Sequence, residues 1–152
     1  MKNTQKTKKT ESGRSMIEMV GVLAVMGLIT ATAFILITSA LNNQRISRVN
    51  DDISGIVSGI RTLYATQPTF QNLKGKESDA MATIGYDTVK SPFGESYTLT
   101  SDGTNLTLSV DTKKATTCNA ILAQLKGVNG CVDASSKCET AKLTVVYNKS
   151  GS

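Results

Sequence analysis

Between Glu18 and Arg45 the chain carries no formal charge, and residues 19–41 are rich in Val, Leu, Ile, Met and Ala. A helix that crosses a bilayer needs about 20 consecutive apolar residues, so this run is long enough to span lipid. The ordinary alternative is a buried core helix. In a chain of 152 residues there is little protein left to cover so long and so uniformly apolar a segment. What the chain can fold into is thereby narrowed to one extended, lipid-soluble element and one compact domain.

The helical pattern does not stop where charge returns. Ile46, Val49, Ile53, Ile56, Ile60 and Leu63 recur at spacings of three and four, with Arg45, Arg48, Asp51, Asp52 and Arg61 between them, which is the signature of an amphipathic helix. The first proline is Pro68. One continuous helix over about 15–65 is therefore expected, apolar all round in its first half (residues 14–44) and carrying one apolar stripe in its second. Asp51 and Asp52 are adjacent on that helix and point in different directions, so they do not form an acid–base pair.

The stripe needs a cover, and the rest of the chain supplies one. A polar loop is expected over residues 66–79. Residues 96–100 and 106–110 alternate in the strand manner around Ser-Asp-Gly-Thr, a hairpin signal with Asp-Gly at its tip, and residues 143–147 are a third strand candidate. Thr117 before residues 118–126, closed by Gly127, predicts a short capped helix. The fold class is α+β: a small antiparallel sheet packed on the second half of a long helix. Gly55 and Gly59, one turn apart, are expected to let that sheet approach closely.

Composition limits the chemistry. The chain has no histidine, so a histidine general base, a Ser-His-Asp triad and any histidine-ligated metal site are excluded. Neither catalysis nor a cofactor is expected. The net charge is +5, but +3 of it belongs to the leader, where Lys2, Lys6, Lys8 and Lys9 face only Glu11. From Asn50 onward ten basic residues meet ten acidic ones. Nucleic-acid binding would want a basic stripe on the folded domain, and none is present. Lysines ahead of an apolar segment instead hold that end in the cytoplasm. Cys118, Cys131 and Cys138 all lie in the C-terminal third, none in a CxxC spacing, and a zinc site without histidine would want four cysteines. In an oxidising compartment two of them can pair and one is left over; the spacing alone leaves the connectivity open.

One feature of the N-terminal region stands apart. A single carboxylate, Glu18, sits at the head of the apolar run, five residues after Gly13, and the order is basic leader, Gly13, Arg14, Glu18, apolar helix. A charge near the edge of hydrocarbon costs a few kcal/mol unless it is partnered. This constellation resembles the prepilin signature of type IV pilins and the related type II secretion pseudopilins, in which a dedicated peptidase cuts after a glycine and the fifth residue of the mature chain is glutamate. The match runs from Gly13 to about Leu41. Arg14 departs from the Phe or Met that usually begins the mature chain.

The resemblance implies a leader (residues 1–13) removed between Gly13 and Arg14, N-methylation at Arg14, and Glu18 as the assembly residue. It implies a globular head over residues 45–152 and a disulfide between Cys118 and Cys138, with Cys131 left over or competing for the same partner. Its partners would be prepilin peptidase, membrane lipid, the assembly platform of the inner membrane and further copies of itself in a helical homopolymer. Its location would be the inner membrane, single-pass with the N-terminus cytoplasmic, and then an extracellular pilus. Adhesion, motility, conjugation and DNA uptake are all roles such filaments fill. Two other expectations compete: a type II secretion pseudopilin, and a single-pass anchored binding module that never polymerises. A cleavable Sec signal ending at Ala31-Thr32-Ala33 is the rival reading of the leader, opposed by the apolar run continuing through residues 34–37.

Overall fold

The computed structural model describes residues 11–126, 128, 130–132 and 135–149, with side chains from Met16 onward. The expected leader, apart from the helical backbone of residues 11–13, and the side chain of Arg14 lie outside the described residues. The elements in chain order are α1 (Glu11–Leu63), a 3₁₀ turn (Gln71–Leu73), α2 (Glu77–Thr83), β1 (Thr98–Ser101), β2 (Asn105–Asp111), α3 (Ala115–Leu125), β3 (Lys137–Glu139) and β4 (Lys142–Asn148). The chain divides into two units, Met1–Asn42 and Asn43–Ser152. The expected α+β class holds: a long N-terminal helix and a four-stranded antiparallel sheet.

In the first unit every side chain from Met16 onward is exposed. The second unit holds the core. Ile46, Val49, Ile53, Ile56 and Ile60 are buried at 0–6% exposure along one face of α1, joined by Val57. Leu63, expected on the same stripe, is 44% exposed, because it is the last residue of the helix and the chain turns away after it.

The sheet order is β1-β2-β4-β3, all neighbours antiparallel. Alternation along β2 buries Leu106, Leu108 and Val110, and along β4 it buries Leu143, Val145 and Tyr147. The register sets these directly opposite one another, Leu106 against Tyr147, Leu108 against Val145 and Val110 against Leu143. A slip of one residue would turn the whole ladder to solvent, so burial fixes the register. From α3, Cys118, Ile121, Leu122 and Leu125 close the same cluster.

The β1–β2 hairpin turns at Asp102-Gly103. Asp102 Oδ1 accepts hydrogen bonds from the backbone N–H groups of Asn105 (2.6 Å) and Thr104 (2.7 Å), and these hold its carboxyl below the usual carboxylate range. Gly103 has φ +96°, which an L side chain rarely adopts. The β3–β4 hairpin is built differently. Glu139 pairs with Lys142, leaving the two-residue loop Thr140-Ala141 at φ 46° and 71°. That is the backbone of a type I′ turn, which favours Asn-Gly. Thr112 pins it, donating from both its N–H (2.9 Å) and its hydroxyl (2.6 Å) to the Ala141 carbonyl. Replacing Thr140-Ala141 by Asn-Gly should therefore stabilise the chain by about 1 kcal/mol. Denaturant unfolding of the full chain in detergent reads this out, and an unchanged midpoint would remove the strain argument.

Three expectations are corrected. The helix over residues 118–126 begins at Ala115, with Lys114 at its N-cap, and Thr117 is a buried residue inside it rather than the cap. The polar loop expected over residues 66–79 contains the 3₁₀ turn and the start of α2. Gly55 and Gly59 do not receive the sheet. They receive the segment after α2. A Cβ at Gly59 would lie 3.1 Å from Ile84 Cγ2, and one at Gly55 would lie 2.5 Å from the Tyr86 hydroxyl.

These two contacts predict different outcomes. The Tyr86 hydroxyl is the far end of a flexible, half-buried side chain and can swing aside. The Ile84 methyl lies next to backbone and cannot. Alanine gains roughly 1 kcal/mol over glycine in a helix, and overpacking costs about 1–3. Gly59→Ala is expected to lower stability by about 1 kcal/mol and Gly55→Ala to change it by less than about 0.5, as measured by thermal unfolding in detergent. Equal effects would mean that the two glycines are not read by separate neighbours.

Candidate functional site

The segment that most sets this molecule apart is the exposed part of α1. Fifteen large apolar side chains within residues 16–41 are 49–77% exposed. At about 1.5–3 kcal/mol for each such side chain removed from water, covering this surface is worth of order 20 kcal/mol or more. That far exceeds the net stability of a typical domain, so the segment's stable environment is lipid or other apolar helices. By length and composition, residues Met16–Leu63 include a window of mean hydropathy 2.5 that is 0% buried. Among the described residues one helix is long and apolar enough, by length and composition, to cross a membrane, and its apolar window is not covered by the rest of the described chain.

Three threonines within this segment are compatible with a dry surrounding. Thr30 donates its hydroxyl to the Met26 carbonyl (2.8 Å), Thr32 to the Ile29 carbonyl (2.9 Å) and Thr38 to the Ile35 carbonyl (2.9 Å). Each hydroxyl proton is satisfied within the helix, so none requires water. Gly21 and Gly27 would meet nothing within 4 Å if they carried a Cβ. Around Gly21 the helix surface is indented, and the indentation is lined by Glu18, Val22, Val25, Met26 and Ile29.

Glu18 is exposed at the N-terminal end of that indentation. Among the described residues it makes no ion pair. Gly13, Arg14 and Glu18 all belong to α1, which places the backbone nitrogen of Arg14 one helical turn before Glu18 on the same face. The helix starts at Glu11, a few residues before the expected position.

In the second unit the structure joins Cys118 to Cys138 with a Cα–Cα separation of 6.0 Å, tying α3 to β3. Cys131 faces β4 through an isolated bridge to Tyr147, whereas Cys138 pairs with Leu143. These positions are four residues apart on one strand, about 13 Å, beyond the Cα reach of a disulfide. Competition by Cys131 for Cys138 would thus require β3 to leave the sheet. Asp52 and Asp51 do separate: Asp52 accepts a hydrogen bond from the Tyr97 hydroxyl (2.7 Å) while Asp51 is exposed. Burial, and then the Asp52 carboxylate, push the Tyr97 phenol far above its ordinary range, so it remains a donor.

Sequence reasoning missed the fastening of the helix end to the last strand. Arg61 Nη2 donates to the Asn148 carbonyl (2.7 Å) and its guanidinium stands 5.9 Å over the Tyr147 ring. Lys149 donates to the Tyr64 carbonyl and lies 5.1 Å from the Phe70 ring centre. A lysine at a helix C-terminus is favoured by the helix dipole, but nothing local links residues this distant in the chain.

Comparison with known proteins returns no matching family model, no matching curated protein and no matching solved structure. The likeness is therefore one of architecture. A long apolar N-terminal helix followed by a four-stranded antiparallel sheet, with a disulfide near the last strand, is pilin-like.

Proposed function

We propose that the chain is a structural subunit of a type IV pilus: inserted in the inner membrane as a precursor, cut between Gly13 and Arg14 by prepilin peptidase, and polymerised by an inner-membrane assembly platform. The observation that carries this reading is the exposed arm itself, headed by one carboxylate five residues after a glycine. The leader lysines hold the junction on the cytoplasmic face. Glycine before the scissile bond leaves the backbone open to a protease. Cutting there, rather than beyond the apolar run, leaves the product parked in lipid.

Cleavage creates an α-amino group at Arg14. When the arm leaves lipid for a bundle of like arms, Glu18 meets the amine of a neighbouring copy in surroundings of low dielectric. A buried pair of this kind contributes little net stability because desolvation offsets the attraction, but it penalises every stagger that leaves either charge alone. Its role is registration. Packing and the small residues Gly21, Ala24, Gly27 and Ala31 supply close approach between arms. A head-to-tail contact that repeats without closing yields an open helical filament. The subunit takes no cofactor, binds no nucleic acid through a basic face, and has no catalytic role.

Filaments sheared from cells test this directly. The expected result is a fibre whose main component is this chain. Its retention in the membrane fraction under conditions that release pili would favour a pseudopilus or an anchored, non-polymerising module.

A further inference from the structure

The second unit has two ends, and contacts between α1 and the sheet show which of them lies beside its first residues. Arg61 stands over the Tyr147 ring, and Asp52 accepts from the Tyr97 hydroxyl. Tyr97 precedes Thr98, the partner of Ser109, so it is level with Val110 and, across β2, with Leu143. Asp52 and Arg61 are about 13 Å apart along a helix, and Leu143 and Tyr147 about 13 Å apart along a strand. The match means that α1 and β4 run side by side in one direction. The row beyond Leu143, formed by Asp111, Lys142 and Glu139, and the turns next to it therefore lie beside Arg45 and Arg48. The opposite end holds the Asp102-Gly103 turn, which packs against Gln71, and with it the segment that carries Lys74 and Lys76.

Charge is divided unevenly between these ends. At the first, Lys113 pairs with Glu95, and Lys137 with Glu139 (2.7 Å). Lys90 joins this end through its bridge to Ser96. That leaves Arg45, Arg48, Lys90, Lys114 and Lys142, all exposed, against Asp51 and Asp111, an excess of three positive charges. Residues 43–152 carry twelve basic and ten acidic side chains in all, so the remainder of the unit is negative by one. Helix α3 also starts at the basic end. No side chain caps it and its first turn holds no acidic residue, so its amide dipoles add to the positive potential there.

We propose that this basic end docks on a lipid surface bearing anionic headgroups, with Arg45, Arg48, Lys90, Lys114 and Lys142 turned to the headgroup phosphates. The inference rests on the reading that residues 19–41 occupy lipid. Only Asn42, Asn43 and Gln44 separate that run from Arg45, so the unit is tethered by its basic end to whatever membrane the run occupies. Long basic side chains reach a headgroup layer while their stems stay on the protein. Each Lys or Arg near an anionic surface strengthens the attraction roughly fivefold, and the effect fades within a Debye length. A nucleic acid would want the charge spread as a stripe along the domain; here it is gathered at the end where the chain enters.

The test places the isotopically labelled full chain in lipid discs of phosphatidylcholine alone or mixed with phosphatidylglycerol, with a nitroxide on the headgroup of a small fraction of the phosphatidylcholine. Amides of Thr112, Lys113, Ala141 and Lys142 are expected to broaden at least about twofold more in the anionic discs, and those of Asn105 and Asn148 equally in both. The difference should vanish in 1 M salt, where the Debye length is about 3 Å. Lys114→Gln with Lys142→Gln should at least halve it without lowering the melting temperature, since both side chains are exposed. Lys74→Gln with Lys76→Gln removes the same charge from the opposite end and should leave it unchanged. Equal broadening in the two kinds of disc, a difference that survives 1 M salt, one that the first variant retains in full, or one that both variants lose alike would each overturn the proposal. Hydrogen exchange of the amides of residues 19–41 reports insertion separately. Slow exchange there without the lipid-dependent difference overturns the docking alone; fast exchange in both kinds of disc overturns the membrane reading and the docking with it.

Discussion

Glu18→Ala is expected to leave membrane insertion and cleavage after Gly13 intact while reducing incorporation into filaments by at least about tenfold. The substitution shortens a side chain at the head of an apolar helix, so insertion becomes slightly easier rather than harder. In the assembled state it leaves the neighbour's α-amine buried without its anion, and breaking one side of a buried pair costs about 3–5 kcal/mol. Even a third of that corresponds to about a tenfold change in an equilibrium. Glu18→Gln separates charge from size, since it keeps the length and the hydrogen-bonding oxygen but not the anion. Comparing the sheared and membrane fractions of the three proteins reads out the effect. If Glu18→Gln polymerises as well as the parent chain, the organising contact is a hydrogen bond or a fit of shape, not a charge pair.

The second large effect is expected at the disulfide. Cys118 and Cys138 are 20 residues apart in sequence, and closing a loop of that size restricts the unfolded chain by roughly 3 kcal/mol in the chain-entropy picture. The bond also ties an edge strand of only three residues to α3, whose Cys118, Ile121 and Leu125 are at most 1% exposed. The double variant Cys118→Ala, Cys138→Ala should therefore lose about 3 kcal/mol, with the melting temperature falling by roughly 10–20 °C for a folded unit of this size. Alanine avoids burying a new hydroxyl where Cys118 is 0% exposed. Thermal unfolding of the full chain in detergent, with and without a reductant, measures it. A shift of only a few degrees would mean that β3 is held by its pairing with β4 alone.

Legibility in the sequence follows where the physical signals are local. The long helix was readable because its period is sustained: five isoleucine or valine positions recur at helical spacing and all five are buried. The β1–β2 hairpin was readable because Asp102-Gly103 supplies both the side-chain acceptor and the positive φ that the turn requires. Helix α2 was not readable, since seven residues with only Ala80 and Met81 buried give no measurable period. Strand β3 was hidden for a related reason. Its Lys-Cys-Glu sequence has no strand preference, and the turn that folds it back onto β4 uses Thr140-Ala141 where a sequence reader looks for Asn-Gly.

The candidate site divides the same way. The apolar arm, Gly13 and Glu18 lie within a few turns of one helix and could be found by counting. The contacts that finish the head could not, because Gly59 meets Ile84 and Arg61 meets Tyr147 and Asn148 only after the chain has folded back. Thr117 shows the opposite error. It has the chemistry of a helix cap, but burial at 4% exposure places it inside α3, so tertiary packing overrode the local preference.

The pairing of Glu18 with a neighbour's amine presupposes that the amine exists and that the arm is still attached to it. Intact mass and N-terminal sequencing of the protein recovered from membranes or fibres decides both at once. The account predicts a polypeptide that begins at Arg14, with or without a methyl group, and retains residues 16–41. A polypeptide that keeps Lys2, Lys6, Lys8 and Lys9, or one that begins after Ala33, would contradict it.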